Sequence, residues 1–524
     1  MKHSSFAIML VILSVCALSC YKDLSKERET VIPDIVITGI EPVIHVSYGQ
    51  TVQIDAHVSQ IGRTDDDFDY LWEMDRVAGR TVVNTYDYDR VEMSRTTSFT
   101  FEVTNSPSTV PYMITFQVTD KKTGVKAIAS CAMYVESALG EGLFVAHSRD
   151  GGQTSEVDLA ASEALTYGFS ASGIRYTRDL VALANGGEPL QGRINAMSQF
   201  VATRSASFDD PQYLIGTDDH FYSLDNLTFK LRDSDKGLFN TSPSTGFRTT
   251  LIAPFASYCL FAIINKDIYA CSTIIDYSFS KVQYPPTPSS IFDEKNVSWG
   301  VQDQCDLTVF DPGRGMFSYM LGWRTGQSGL GAIGTNFPFS LEGSKALGAG
   351  GGKVNSSGHT QFHNFLVQAP SGQYYLLRID GRNNVYEYYL LEGNDLDKVV
   401  SFASCDNADI CYYATSTDIY AILITSGQAI IRHVAFSPQS SGEKITRIVH
   451  YKQGWYGVAR NDASYEFQNR TNRLQILVIT YNESTGEGKI YLRPFNLSTG
   501  LFTVLDNGVL TGFGEISAVC PSLR

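Results

Sequence analysis

Short runs of alternating or β-rich apolar residues, broken by polar turn signals, dominate this chain. Between residues 35 and 137 there are seven of them: IVITGI, VIHVSY, TVQIDAHVS, FDYLWEM, TSFTFEVT, YMITFQVTD and AIASCAMYVE. Tyr48-Gly49, Thr64-Asp65-Asp66 and Thr123-Gly124 punctuate them. Seven such strands in roughly 100 residues predict an immunoglobulin-like β-sandwich, with Trp72 as its core tryptophan. From residue 138 to 524 a different rhythm appears. Apolar strand, short polar turn and second apolar or tyrosine-bearing strand recur at 142–159, 212–225, 258–272, 364–381, 410–424 and 474–500. This is the pattern expected of the inner hairpin of a propeller blade. About 385 residues at about 55 per repeat give seven blades. A stack of β-sandwiches is the rival architecture. Two stretches break the rhythm. Residues 154–165 (TSEVDLAASEAL) have a helix-like start and interior, and predict a short helix. Residues 328–358 are rich in Gly and Ser and predict a long loop between blades.

The amino terminus has its own pattern. Residues 6–18 (FAIMLVILSVCAL) are apolar and follow Lys2 and His3. About 13 such residues are too few for a membrane span and suit the apolar region of a signal peptide. Ala17-Leu18-Ser19-Cys20 then resembles a bacterial lipobox, departing from it in having Ala17 where Leu is commonest. That resemblance implies cleavage after residue 19 and acylation of Cys20. Residues 20–34 are charged and aperiodic and read as a lipidated tether. The expected organisation is a signal peptide over 1–19, the tether over 20–34, the sandwich over 35–137 and the propeller-like domain over 138–524.

Composition narrows the function classes. Hydrophobic residues at 43% with 18% charged describe a globular chain, and 29 Tyr with 29 Phe favour strands. A formal net charge of −14 argues against nucleic acid and against an anionic membrane face as partner. Seven cysteines follow Cys20, with no Cys-x-x-Cys pair. A hairpin centred near Asn265 would set Cys259 opposite Cys271, where an oxidising compartment would permit a bridge; two buried thiols are the alternative.

Candidate chemistry is sparse. Asp65, Asp66, Asp67 and Asp69 form the densest carboxylate cluster, a calcium candidate without the spacing of an EF-hand, or a solvated loop. The glycine run at 348–352 precedes Lys353 but has Leu347 and Val354 where a phosphate loop needs Gly and Ser or Thr. His359 and His363 are four apart without the glutamate of a zinc protease. Asp218-Asp219-His220 offers a carboxylate-oriented base within a predicted turn. No Gly-x-Ser-x-Gly elbow is present. These patterns select no catalytic residue, metal or cofactor. The binding candidates are aromatic: Trp299, Trp323, Trp455 and Tyr456, beside Gly300, Gly322 and Gly454. Flat aromatic faces near loops suit sugar rings or peptide side chains, and also suit packing between blades.

Tyr70-Leu71-Trp72-Glu73 resembles the start of the PKD signature, and residues 112–120 (YMITFQVTD) followed by Gly124 resemble its last strand. The turn that usually follows the tryptophan is replaced by Met74-Asp75-Arg76. With the lipobox and the long carboxy-terminal part, the arrangement resembles the PKD-like lipoproteins of Bacteroidetes. The resemblance implies a lipid-anchored outer-membrane protein, and Lys22-Asp23 in the tether resemble the signals that send such lipoproteins to the cell exterior, with the periplasmic face as the alternative. It implies a binding or docking role beside a SusC/SusD-type importer of glycans or oligopeptides. The rival is a propeller-fold glycoside hydrolase or lyase at the cell surface.

Overall fold

The computed structural model describes residues 32–47, 50–76, 78, 90–105, 110–136, 142–166, 173–200, 212–226, 228–254, 259–272, 278–282, 291–300, 306–321, 331–354, 360–381, 383–452 and 473–522. The chain divides into two compact units, Met1–Glu136 and Ser137–Arg524. The described part is all-β apart from one five-residue helix, Leu180–Ala184, and short 3-10 turns.

The first unit is a sandwich around one core. Its five-stranded sheet runs in the order Val43–Ser47, Lys126–Glu136, Tyr112–Asp120, Phe68–Asp75, Arg90–Ser94, with the first pair parallel. Two strand pairs contribute to the same core: Thr51–Asp55 with Ser98–Glu102, and Val36–Thr38 with His57–Ser59. The run TVQIDAHVS is therefore two strands, divided at Ala56, each bound to a different partner. Arg90–Ser94 is a strand that its irregular pattern hid. Trp72 is fully buried, stacks on Phe116 at 4.2 Å and donates its indole N–H to the Thr96 carbonyl at 2.9 Å. A buried Trp needs that acceptor, because an unpaired indole N–H in the core costs free energy.

The second unit holds, among the described residues, seven antiparallel sheets, six of four strands and the first of five, whose fifth strand is Leu190–Gln191 beside Thr154–Ala161. The second sheet is Ile194–Phe200, Gln212–Thr217, Phe221–Asp225 and Leu231–Ser234, and the third is Thr249–Pro254, Cys259–Ile264, Asp267–Ser272 and Ser280–Lys281. The fourth is Val297–Trp299, Asp306–Asp311, Met316–Leu321 and Gly331–Ile333, and the fifth is Lys345–Gly351, His363–Gln368, Tyr374–Asp380 and Val385–Leu391. Ser401–Ser404, Ile410–Ala414, Ile419–Thr425 and Gln428–Val434 make the sixth; Lys444–His450, Gln475–Asn482, Glu487–Pro494 and Val509–Phe513 make the seventh. In these six the strand order follows the chain. In the first sheet, Gly142–Ser148, Thr154–Ala161 and Arg175–Thr177 are joined by the carboxy-terminal strand Glu515–Ser522, which pairs along Gly142–Ser148.

Each consecutive pair of sheets shares one apolar cluster, and the seventh sheet shares one with the first. The second strands make this possible. Side chains on a strand point alternately to opposite faces. Leu143 and Val145 pack toward the seventh sheet, while Phe144 and Ala146 pack toward the second. Leu260, Ala262 and Ile264 face the second sheet, Phe261 and Ile263 the fourth. Such strands are apolar on both faces, which explains the runs FVA, LFAII, NFLV and ILVI.

Several sequence expectations are corrected here. The recurrent hairpins are the second and third strands of their sheets, not the innermost pair. The region 154–165 is not a helix: Thr154–Ala161 is a strand whose residues Val157 to Ala161 are buried. Residues 328–358 are not a simple loop, because Gly331–Ile333 and Lys345–Gly351 are strands. The 258–272 hairpin turns on Asn265 and Lys266, both at positive φ (52° and 64°), so Cys259 pairs with Ser272 and Leu260 with Cys271. That one-residue offset puts the two cysteines out of register, and Cys271 is buried.

The glycine run belongs to this packing. A Cβ on Gly348 would lie 2.2 Å from Cβ of Phe402, one on Gly350 2.8 Å from Cβ of Ser404, and one on Gly351 2.6 Å from the Trp299 carbonyl oxygen. Only glycine lets the inner strand Lys345–Gly351 approach its neighbours this closely. Gly348→Ala is expected to destabilise the second unit by about 1–3 kcal/mol through overpacking, read as a lower urea midpoint. An unchanged midpoint would show that the strands can separate at no cost.

Candidate functional site

The inner strands of all seven sheets line one cavity of about 340 Å³. That volume is within the usual range for small-ligand sites. Its wall is built from Asn195 to Gln199, Thr250 to Ile252, Val297 and Trp299, Leu347 to Gly351, Val400 to Ser404, Val449 to Lys452 and Ala518 to Pro521. The wall mixes apolar residues such as Met197, Leu251 and Phe402 with small and polar ones such as Gly350, Ser404 and Asn195.

Toward one part of the cavity, Glu294 leads into the fourth sheet and meets Arg447 of the seventh, with Oε2 2.5 Å from the guanidinium. Arg447 also donates to the Ser517 carbonyl of the first sheet at 3.1 Å. This ion pair therefore joins sheets that are not neighbours in sequence. Lys295 is exposed beside Glu294.

A second polar group surrounds Asp406, which is fully buried just after the sixth inner strand. Its carboxylate receives Arg473 Nε at 3.0 Å and lies 3.5 Å from Lys452 Nζ. His450 Nε2 sits 3.0 Å from the Arg473 carbonyl oxygen, so that nitrogen carries the proton. Nδ1 is then the unprotonated nitrogen, 3.8 Å from the Asp406 carboxylate. Burial, more than the neighbouring charges, lowers the His450 pKa to about 4. Lys452 Nζ also lies 5.5 Å from the centroid of the Trp299 ring.

The remaining seams are hydrogen-bonded. His363 Nδ1 meets Ser298 Oγ at 2.8 Å, and Asn364 Nδ2 donates to Ser404 Oγ at 2.8 Å. His363 is buried, and burial followed by the charge of Lys452 lowers its pKa to about 3. Between the seventh and first sheets, Tyr451 Oη donates to the Leu165 carbonyl.

Of the aromatic candidates, Trp299 lies on the wall of the cavity, half-buried, where it also packs with Val297 and Leu307. Trp323, Trp455, Tyr456 and Cys20 lie outside the described residues. His359 does too, so the His359–His363 pair is not assembled. His220 is oriented by a carboxylate, but by Asp235 at 2.8 Å, while Asp218 accepts from Asn195 at 2.9 Å. The Asp65–Asp67 cluster is a 3-10 turn in which Asp67 accepts from the Thr64 N–H and hydroxyl. Among the described residues no group of three or more His, Cys, Asp or Glu could hold a metal ion. No described helix is long and apolar enough to cross a membrane. Sequence reasoning missed Glu294, Asp406, Arg447, His450, Lys452 and Arg473. Arg447, His450 and Lys452 lie on or just after the seventh inner strand, while Glu294, Asp406 and Arg473 come from loops and turns far away in the chain, and no local pattern marks them as a group.

Residues 20–193 match the model of the PKD-like family. The amino-terminal third of the chain is PKD-like. This PKD-like segment contains the whole described sandwich and ends at Arg193, before the second sheet begins. No curated protein sequence matches the chain. Among solved structures, it is similar to a quinoprotein alcohol dehydrogenase-like protein from Bacteroides thetaiotaomicron, at 12% identity and a TM-score of 0.43, over 93% of this chain and 98% of the other. A periplasmic gluconolactonase from Pseudomonas aeruginosa aligns at 10% identity and a TM-score of 0.40, over 72% and 98%. A DUF4784 family protein from Bacteroides caccae aligns at 11% and 0.32, over 76% and 96%. Likenesses this distant carry no information about activity.

The buried histidines set a pH response. In the unfolded chain both protonate near 6.5; in the folded protein they resist protonation until about 3 and about 4. Stability is fully present above pH 6.5 and falls as pH drops, by up to about 1.4 kcal/mol per pH unit for each histidine until its folded pKa is reached. His450→Gln, which keeps a donor for Arg473, is expected to lose less stability than the parent between pH 7 and 5 in urea unfolding. Parallel pH curves would contradict this.

Proposed function

We propose that this chain is a lipid-anchored binding protein of the outer membrane, acting beside a SusC/SusD-type importer of glycans or oligopeptides. The anchor is Cys20, and the tether and PKD-like sandwich hold the second unit outside the cell. The seven sheets are read as blades of a closed propeller, with Glu515–Ser522 completing the first blade. The shared cluster between the seventh and first sheets supports that closure.

The observation that carries the binding role is the state of the acids in the cavity. Glycosidic cleavage uses two facing carboxylates, typically about 5–10 Å apart, one of them able to hold a proton. Among the described residues Glu294 is the one carboxylate on the cavity wall, and it is engaged by Arg447. Asp406 lies behind the wall, held by Arg473 and Lys452. What remains on the described wall are aliphatic, aromatic, amide, hydroxyl and cationic groups with the buried His450, a set suited to binding.

Two measurements test this reading. Cys20→Ala is expected to move the protein from the outer-membrane fraction to the soluble fraction; retention in the membrane contradicts the anchor. Affinity purification of the native lipoprotein from detergent-solubilised outer membranes is expected to recover a SusC/SusD-like pair. Recovery of the chain alone contradicts the docking role.

A further inference from the structure

The cavity carries the opposite charge to the protein around it. The chain has a formal net charge of −14. Among the described residues the wall bears three cations, Lys295, Arg447 and Lys452, against the single carboxylate of Glu294. Counting the buried Asp406 together with its partner Arg473 leaves this surplus unchanged. A cationic cavity inside an acidic surface focuses a positive potential and favours an anion in it over any neutral or cationic solute.

The cations are not equally committed. Arg447 is taken up by Glu294 at 2.5 Å and by the Ser517 carbonyl. Lys452 is held more loosely: its ammonium lies 3.5 Å from Asp406, whose carboxylate already receives Arg473 at 3.0 Å, and 5.5 Å from the centroid of the Trp299 ring. An ammonium has three donors. Its neighbour His450 is held neutral by burial and adds no competing charge. Within 5.5 Å of the same ammonium is the ring of Trp299, an apolar face next to a cation. Asn195, Thr250 and Ser401 supply amide and hydroxyl groups elsewhere on the wall.

We propose that the cavity binds a sugar acid, with its carboxylate on Lys452 and its ring against Trp299. The proposal rests on the binding role above and names the ligand class. The carboxylate answers the loosely paired charge of Lys452, the ring face answers the indole, and the hydroxyls answer the small polar side chains. A peptide carboxylate would satisfy Lys452, but a peptide lacks the ring of hydroxyls that would answer both Trp299 and the polar side chains of the wall.

Titration calorimetry of the full chain with digalacturonate, digalactose, trialanine and trialanine amide tests it. Digalacturonate is expected to bind, at least tenfold more tightly than digalactose, and to weaken severalfold between 50 and 300 mM NaCl. Lys452→Met is expected to lose at least tenfold in affinity, and Lys452→Arg to recover most of it. The Met variant leaves Asp406 paired with Arg473, so its urea midpoint should stay near that of the parent, which separates lost binding from lost folding. Equal affinity for digalactose would overturn the charge assignment while leaving the binding role standing. Binding of trialanine but not its amide, without digalacturonate, would overturn the sugar assignment. No binding of digalacturonate, or full binding by a folded Lys452→Met, overturns the proposal. Recovery of an importer pair from membranes is read separately and does not depend on these results.

Discussion

Burial of both faces of the second strands is the constraint on which the second unit depends. A strand such as Gln475–Asn482 places Ile476 and Val478 in one cluster and Leu477 and Ile479 in another. Neither face can be left to water without losing roughly 1.5–3 kcal/mol for each large side chain. No sheet of this kind is stable alone. Each needs a neighbour on both sides, and a row of such sheets has unsatisfied faces at its ends unless the last meets the first. The cluster formed by Leu143 and Val145 with Leu477, Ile479 and Leu492 meets that need. The strand Glu515–Ser522 adds hydrogen bonds to the same junction, and it contributes Ile516 to one cluster and Ala518 and Cys520 to the other.

The same constraint produces the cavity. Inner strands that converge must carry small residues where they touch, hence Gly348, Gly350 and Gly351, and polar residues where they leave space. The charges there are paired: the exposed Glu294 with Arg447, and the buried Asp406, which burial would leave poorly solvated, with Arg473. Lys452 is the member of this set with the weakest engagement, and it stands beside the indole of Trp299. The proposed binding role rests on the pairing of the one described wall carboxylate, Glu294, and on the cation and aromatic face that Lys452 and Trp299 present.

Much of the architecture was legible in the sequence, and the reason is physical. Two-faced burial writes itself as an unbroken apolar run, so six of the seven central hairpins stood out. The fourth, Asp306–Asp311 with Met316–Leu321, was passed over because DLTVFD is bounded and interrupted by polar residues, although Leu307, Val309 and Phe310 still serve two clusters. Inner strands were hidden for the opposite reason. Lys345–Gly351 reads as a glycine loop because close approach, not burial of large side chains, selected its residues. Thr154–Ala161 looked helical through its Ala and Glu, and tertiary burial of Val157 and Leu159 overrode that propensity. Of the site, only Trp299 was visible, by residue type. Asp406, Lys452 and Arg473 are brought together by sheet order, which no local pattern encodes.

Closure by the carboxy-terminal strand is the claim on which this account turns. Urea unfolding of a chain ending at Gly514, compared with the full chain, tests it most directly. Loss of Glu515–Ser522 uncovers the edge of Gly142–Ser148 and removes residues from two clusters. The predicted result is loss of cooperative unfolding of the second unit, with the sandwich transition retained. An unchanged midpoint and slope for both transitions would contradict the account.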